Sequence, residues 1–211
     1  VAEGLVLDGV RLSLRGRELV CVNAEIAPGE VLTVMGPSGS GKSTLLAAIV
    51  GTLPQEFCRW GRVVLDGRDV TTLPPEDRRI GILFQDPLLF PHMDVGDNLA
   101  FGLSPDRRDR DAAIADALSD VGLEGYQRRD PATLSGGQKA RVALMRTLLA
   151  EPRALLLDEP FSGLDRGLRA RVRDIVFSRI RSRRLPALLV THDHEDAEAA
   201  GGRTLEIAAP A

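Results

Sequence analysis

Four short, almost unbroken apolar runs organise this chain: Val31-Leu32-Thr33-Val34-Met35, Ile80-Gly81-Ile82-Leu83-Phe84, Ala154-Leu155-Leu156-Leu157 and Ala187-Leu188-Leu189-Val190-Thr191. Runs of this length with no polar alternation predict strands buried on both faces, as in a parallel sheet flanked by helices. Helical spacing appears between them. Leu45-Leu46-Ala47-Ala48-Ile49-Val50 follows the first run, and Val142, Met145, Leu148 and Leu149 recur at the interval of an amphipathic helix. The pattern predicts helices near residues 95–103, 109–121 and 136–150, with others after Asp165 and Asp193. Ahead of the first run, residues 5–26 together with 61–66 predict an antiparallel β section. The chain therefore reads as a single α/β domain over residues 1–211, with a core of residues 1–85 and 152–211 and a helical subdomain at 86–151. No internal repeat is visible.

Composition narrows the reading. A chain of 211 residues buries one substantial core and leaves no room for a large second domain. No run approaches the roughly 20 apolar residues of a membrane span, and no charged, apolar and cleavable signal opens the chain. The expectation is a soluble, cytosolic protein whose membrane contact is borrowed. A formal charge of −3 gives no support for nucleic-acid binding. Arg179, Arg181, Arg183 and Arg184 fall at the end of a predicted helix, where cations complement the dipole. Cys21 and Cys58 are too few and too isolated for a metal site or disulfide framework and are expected to be packing residues. His92 and His194 read as surface residues, and the polar stretch from Ser104 to Asp111 as an exposed turn.

Candidate chemistry begins in the loop after the first predicted strand. Gly36-Pro37-Ser38-Gly39-Ser40-Gly41-Lys42-Ser43-Thr44 matches the phosphate-binding pattern of a glycine, four residues, then Gly-Lys-Ser, and it lies between a strand and a helix as that pattern requires. Glycines let successive N–H groups turn onto phosphate oxygens while the new helix presents its positive end. Lys42 would reach the β- and γ-phosphates of ATP, and the Ser43 hydroxyl would ligate Mg²⁺. Lys42 and Lys139 are the two lysines of an arginine-rich chain. A lysine kept in the loop suits a compact point charge rather than a planar fork. The third apolar run ends in Asp158-Glu159, where Asp158 can hold Mg²⁺ through water and Glu159 can polarise the water attacking the γ-phosphate. Between these elements stands Leu134-Ser135-Gly136-Gly137-Gln138; taken alone, it reads as a helix cap.

The phosphate loop, Gln85, the Leu134 to Gln138 stretch, Asp158-Glu159, the Ser162-Gly163-Leu164-Asp165 turn and His192 come in an order that resembles the nucleotide-binding subunits of ABC transporters, over essentially the whole chain. The tract from Phe84 to His92 and the following residues 95–103 most resemble prokaryotic importers of small solutes. The resemblance implies a P-loop ATPase core with an antiparallel β section and a helical subdomain. It implies a head-to-tail homodimer in which Ser135, Gly136, Gly137, Gln138 and Asp165 of one copy complete the ATP site of the other. It further implies that Gln85 contacts Mg²⁺ and the attacking water, and that His192 contacts the γ-phosphate. Integral membrane permease subunits would dock at the loop after Gln85 on the cytoplasmic face of the membrane, with a solute-binding protein as an indirect partner. The short stretch after His192 implies a compact form without a C-terminal regulatory domain.

One departure from the family pattern stands out. Importer ATPases usually stack adenine on an aromatic residue near the N-terminus, yet no Tyr, Trp or Phe precedes Phe57. Leu14 or the Arg15 guanidinium is then left to support the base. Gly163 also stands where alanine is commoner. Other readings are an exporter or lipoprotein-release ATPase subunit, a non-transport ABC ATPase, which would carry long coiled coils or a second ATPase domain, and a catalytically dead nucleotide sensor, against which Lys42, Gln138, Glu159 and His192 all argue.

Overall fold

The computed structural model describes residues 3–207. Its first layer is an antiparallel sheet ordered β2-β1-β4-β5, built from β1 (Leu5–Leu14), β2 (Arg17–Ile26), β4 (Phe57–Leu65) and β5 (Arg68–Asp69). The second is a parallel sheet ordered β6-β7-β8-β3-β9, from β3 (Val31–Met35), β6 (Ile80–Leu83), β7 (Ala154–Asp158), β8 (Ala187–Val190) and β9 (Thr204–Glu206). All four predicted strands are present, and every residue of β3, β7 and β8 is buried. Alternate residues serve different layers. Leu155 and Leu157 of β7 join one core with the helices, while Ala154 and Leu156 join a second core with the antiparallel sheet. Because both faces are covered, these strands show no apolar–polar alternation, Thr33 being buried like its neighbours, and truncating Leu157 to alanine would cost about 2–5 kcal/mol.

The helices are α1 (Lys42–Val50), α2 (Pro75–Arg78), α3 (Val95–Gly102), α4 (Arg110–Asp120), α5 (Gly136–Leu149), α6 (Arg166–Ser182) and α7 (His194–Ala200). Helices α3, α4 and α5 lie in the chain between β6 and β7 and pack their apolar residues into the core that also holds Leu155, Leu157 and α6. The sequence pattern misses α2, the two-residue β5 and β9, none of which has a periodic apolar signal. It also starts β4 too late, since the first residues of that strand alternate between half-buried and exposed.

Two details depart from expectation. Cys21 and Cys58 are not packing residues; both are exposed, because their strand positions put them on the solvent side of the antiparallel sheet. Arg179 reaches Asp120 on α4, so this arginine near the end of α6 has a specific partner besides the helix dipole. His92 and His194 are exposed, as expected.

The C-terminal end of α1 is anchored by Arg78. Buried to 4% exposure, its Nη1 donates to the Ala48 and Ile49 carbonyls, its Nε to Leu73 and its Nη2 to Thr71. A cation at the last turn of the helix complements the dipole and satisfies otherwise orphaned carbonyls. The start of α1 is thereby held at a fixed height over the parallel sheet.

Candidate functional site

Parallel strands β3, β7 and β8 end side by side, and the residues at or just beyond these ends face one cavity of 790 Å³. Its walls include Gly36, Pro37, Ser38, Gly39, Gly41, Lys42, Ser43 and Thr44 from the loop after β3, Asp158 and Glu159 from β7, His192 after β8 and Gln85 after β6. Ser40 is fully buried behind the loop. The sequence therefore brings these residues together by one device: each lies at or beyond the carboxyl end of a strand of the parallel sheet.

Gly41 caps α1 at φ 88°, a left-handed conformation that L-residues rarely adopt, and a Cβ there would lie 2.6 Å from Val20 Cγ2. With no side-chain cap, the first N–H groups of α1 are left for an anion. Lys42 is buried to 7% exposure and its Nζ donates to the Gly36 carbonyl at 2.8 Å and the Pro37 carbonyl at 2.7 Å. The ammonium thus sits inside the curl of the loop, where a point charge with three rotatable donors fits.

Asp158 is 8% exposed. Burial pushes its carboxyl above the ordinary value, with the Glu159 charge adding to this, while the Ser43 hydroxyl and Lys42 work the other way. A desolvated carboxylate beside a hydroxyl is a hard-oxygen donor set, and such sets suit Mg²⁺, which keeps several waters and needs one or two carboxylates plus phosphate. Among the described residues no group of three His, Cys, Asp or Glu is placed so that it could hold a metal ion by itself. The arrangement fits a cation brought with phosphate rather than an all-protein cage.

Glu159 adopts φ 46°, uncommon for a residue with a side chain. Its N–H donates to Val190 at 2.9 Å, and its carbonyl accepts from Ser162. These bonds hold a conformation costing about 1–3 kcal/mol and turn the carboxylate toward His192, whose Nδ1 lies 3.0 Å from Glu159 Oε1. His192 itself is 67% exposed at its side chain. Glu159 and Gln85 are two-sided: both also line a second cavity of 310 Å³ with Gly136, Lys139 and Ser162.

Ser135, Gly136, Gly137, Gln138 and Asp165 lie outside the P-loop cavity. Ser135 and Gln138 form a reciprocal cap on α5: Ser135 Oγ accepts from Gln138 N–H, and Gln138 Oε1 accepts from Ser135 N–H at 2.9 Å. Gln138 Nε2 further donates to the Tyr126 hydroxyl at 3.4 Å. The cap leaves the Gly136 and Gly137 N–H groups without an intrahelical partner, at an exposed helix start. A Cβ on Gly137 would come within 3.2 Å of the Gly163 carbonyl, so the α5 start and the Ser162 to Asp165 turn are packed closely. Asp165 caps α6, accepting from Leu168 N–H at 3.1 Å.

Sequence patterns alone do not reveal two further groups. Arg169 and Arg173 on α6 bind the turn around His192: Arg169 Nη1 contacts Asp193 Oδ2 at 2.5 Å, and Arg173 Nη1 contacts Asp196 Oδ1 at 3.1 Å. Asp196 is 2% exposed, and burial pushes its carboxyl up. Burial acts the same way on Asp193, but the Glu195 N–H and the Arg169 charge outweigh it and hold that carboxyl low. The second group is apolar. Leu14, Leu19 and Phe57, all from the antiparallel sheet, complete the lining of the P-loop cavity.

A family model described as "ABC transporter" matches residues 19–162, the span from β2 to the turn after β7. The chain belongs to the ABC transporter family. It is 48% identical to an uncharacterised ABC transporter ATP-binding protein, YnjD of Escherichia coli, over 92% of this chain and 91% of that one. It is 42% identical to the thiamine import ATP-binding protein ThiQ of a Jannaschia species, covering 95% and 87% respectively. Against the Fe(3+) ions import ATP-binding protein FbpC of Streptomyces coelicolor it is 45% identical, spanning 58% of that longer relative. Among solved structures, the ATP-binding cassette MJ0796, a dimer in a post-hydrolysis state bound to ADP and Pi, superposes with a TM-score of 0.84 at 28% identity, covering 98% of this chain and 97% of that one. This ABC-family chain thus shares both the layered fold and the span of compact relatives.

Proposed function

We propose that this chain is the ATP-binding and ATP-hydrolysing subunit of an ABC transporter and powers import of a small solute through separate membrane permease subunits. The observation that carries the reading is the convergence of Lys42, Ser43, Asp158, Glu159, His192 and Gln85 on one cavity. Relatives named as import ATP-binding proteins support the direction of transport.

In this mechanism the loop N–H groups and Lys42 hold the β- and γ-phosphates, and Ser43, Asp158 and Gln85 would hold Mg²⁺. When bound, the cation neutralises charge on the phosphate oxygens. Glu159, oriented by its backbone bonds, accepts a proton from the attacking water, and His192 keeps that carboxylate aimed and contacts the transferring phosphoryl group. Ser135 and the Gly136 and Gly137 N–H groups stabilise the same group from a second copy of the chain. A homodimer then carries two complete sites.

The permease would dock beside Gln85. Phe84, Leu88 and Phe101 are exposed there at 38%, 59% and 64%, Phe90 stacks edge-on against Phe101, and Arg146 lies over Phe90. An apolar patch with an arginine beneath suits a short amphipathic cytoplasmic helix of the membrane subunit. No helix of the described residues is long and apolar enough to cross a membrane. The helices at 86–151 would then present both the Ser135 surface and this dock, while the core at 1–85 and 152–211 carries the nucleotide.

The test is phosphate release from Mg-ATP by the purified chain, alone and with its permease. Turnover that disappears on chelating Mg²⁺ and falls about 10² or more in Glu159→Gln is the expected result. Near-normal turnover in Glu159→Gln removes Glu159 from the role of base.

A further inference from the structure

The geometry points to Phe57 as the surface on which the nucleobase packs. The inference rests on reading the 790 Å³ cavity as a nucleotide site, and it names the residue that supplies base affinity there. The cavity lining is chemically divided. The phosphate loop and the residues after the parallel strands, Asp158, Glu159, His192 and Gln85, supply its polar part, and the antiparallel sheet supplies the apolar part, Leu14, Leu19 and Phe57. A nucleoside triphosphate has the same asymmetry, a polyanion joined through a sugar to a flat, weakly polar ring. With the phosphates fixed on the start of α1, the ring falls on the apolar part.

Phe57 joins that part through strand pairing. It is the first residue of β4, and antiparallel register places it directly opposite Leu14, the last residue of β1. Leu14 in turn faces Arg17 across the hairpin to β2, whose Leu19 lies 3.6 Å from the position a Gly41 Cβ would take. Three strands therefore wall the start of α1 with apolar side chains, and Phe57 is the aromatic one. It is only half-buried, so its ring has a face to offer. Arg15, by contrast, sits at φ 51° in the exposed two-residue turn with Gly16 and does not line the cavity. The support anticipated from Arg15 is thus not available, while that from Leu14 is.

An aromatic platform tolerates any base, since every base has a π face, and stacking is worth enough to change affinity about tenfold. Among the described residues, no side chain of this apolar part offers a donor or acceptor to a base edge. ATP and GTP are then bound with nearly equal affinity, and the triphosphate dominates recognition.

The decisive experiment compares Mg-ATP with Mg-tripolyphosphate, which has no base, by calorimetric titration of the purified chain. In Phe57→Ala the Kd for ATP should rise about tenfold while that for tripolyphosphate stays within about twofold; Phe57→Trp should restore ATP binding. ATP affinity unchanged in Phe57→Ala overturns the inference. Equal weakening of both ligands also overturns it, by showing a structural effect on the loop. Failure of the underlying reading has a different signature: Lys42→Ala would leave ATP and tripolyphosphate binding at the level of the unmodified chain.

Discussion

Helices α1 and α5 both begin with glycine-rich turns, but they are finished in opposite ways. The start of α1 has no side-chain cap, lies at the floor of a concave cavity and has Lys42 buried within its loop. That of α5 is closed by the Ser135–Gln138 box, lies on the exposed surface outside the cavity at α1, and lines a smaller one that shares only Gln85 and Glu159 with it. An anion at α1 is surrounded by its own chain. One at α5 would meet an exposed helix start beside the small cavity lined by Gln85, Lys139, Glu159 and Ser162. The contrast is what the proposed head-to-tail pair requires: a start at α1 built to hold an anion in its own cavity, and a start at α5 left outside that cavity to complete the site of a second copy.

The strongest way to break that comparison is to disable the halves separately. Lys42→Ala should lose nucleotide binding, whereas Ser135→Arg should bind ATP within about twofold of the unmodified chain yet turn over about 10² more slowly. Mixing the two inactive chains should restore roughly a quarter of the activity, because each mixed pair has one site built from an intact loop and an intact α5 start. Absence of any recovery would mean the halves work within one chain.

A smaller effect is expected where α6 links the two regions. Asp165 begins this helix on the α5 side, and Arg169, one turn on, holds Asp193 beside His192. Arg169→Ala should lower kcat about tenfold with ATP affinity retained, since it loosens the position of His192 rather than the loop. Arg169→Lys should recover part of the loss. A rise in KM alone would place Arg169 in ground-state binding instead.

The smallest effect is on stability. Burial raises Asp158's carboxyl in the fold, so this group favours the folded state below its unfolded value near 4 and loses that contribution as pH rises through the folded value. At neutral pH the ionised form is therefore a cost. Asp158→Asn should raise the thermal midpoint of the chain without nucleotide or Mg²⁺ by about 2–4 °C, while abolishing Mg²⁺-dependent turnover. A lowered midpoint would show that Asp158 is held by favourable contacts rather than poised against desolvation.

Much of the fold was legible because a doubly covered sheet leaves a plain mark. Leu155, Leu156 and Leu157 are apolar in succession since neighbours along the strand face different cores. The phosphate loop was legible for a different reason: its backbone requirements dictate residue types at fixed spacing. Phe57 was not, because its role depends on pairing with Leu14 across two strands, and local pattern carries no register. Arg169 and Arg173 belong to no sequence motif, and only the packing of α6 on α7 shows what they bind. Arg78 was equally hidden, as an arginine whose partners are all carbonyls leaves no carboxylate to search for.

The most direct test of the two-half account is light scattering on purified Glu159→Gln with Mg-ATP, alongside the same chain carrying Ser135→Arg. The account predicts an ATP-dependent dimer for Glu159→Gln and a monomer that still binds ATP for the double variant. A dimer formed equally well by the double variant would contradict it, since the α5 start would then have no part in joining the two copies.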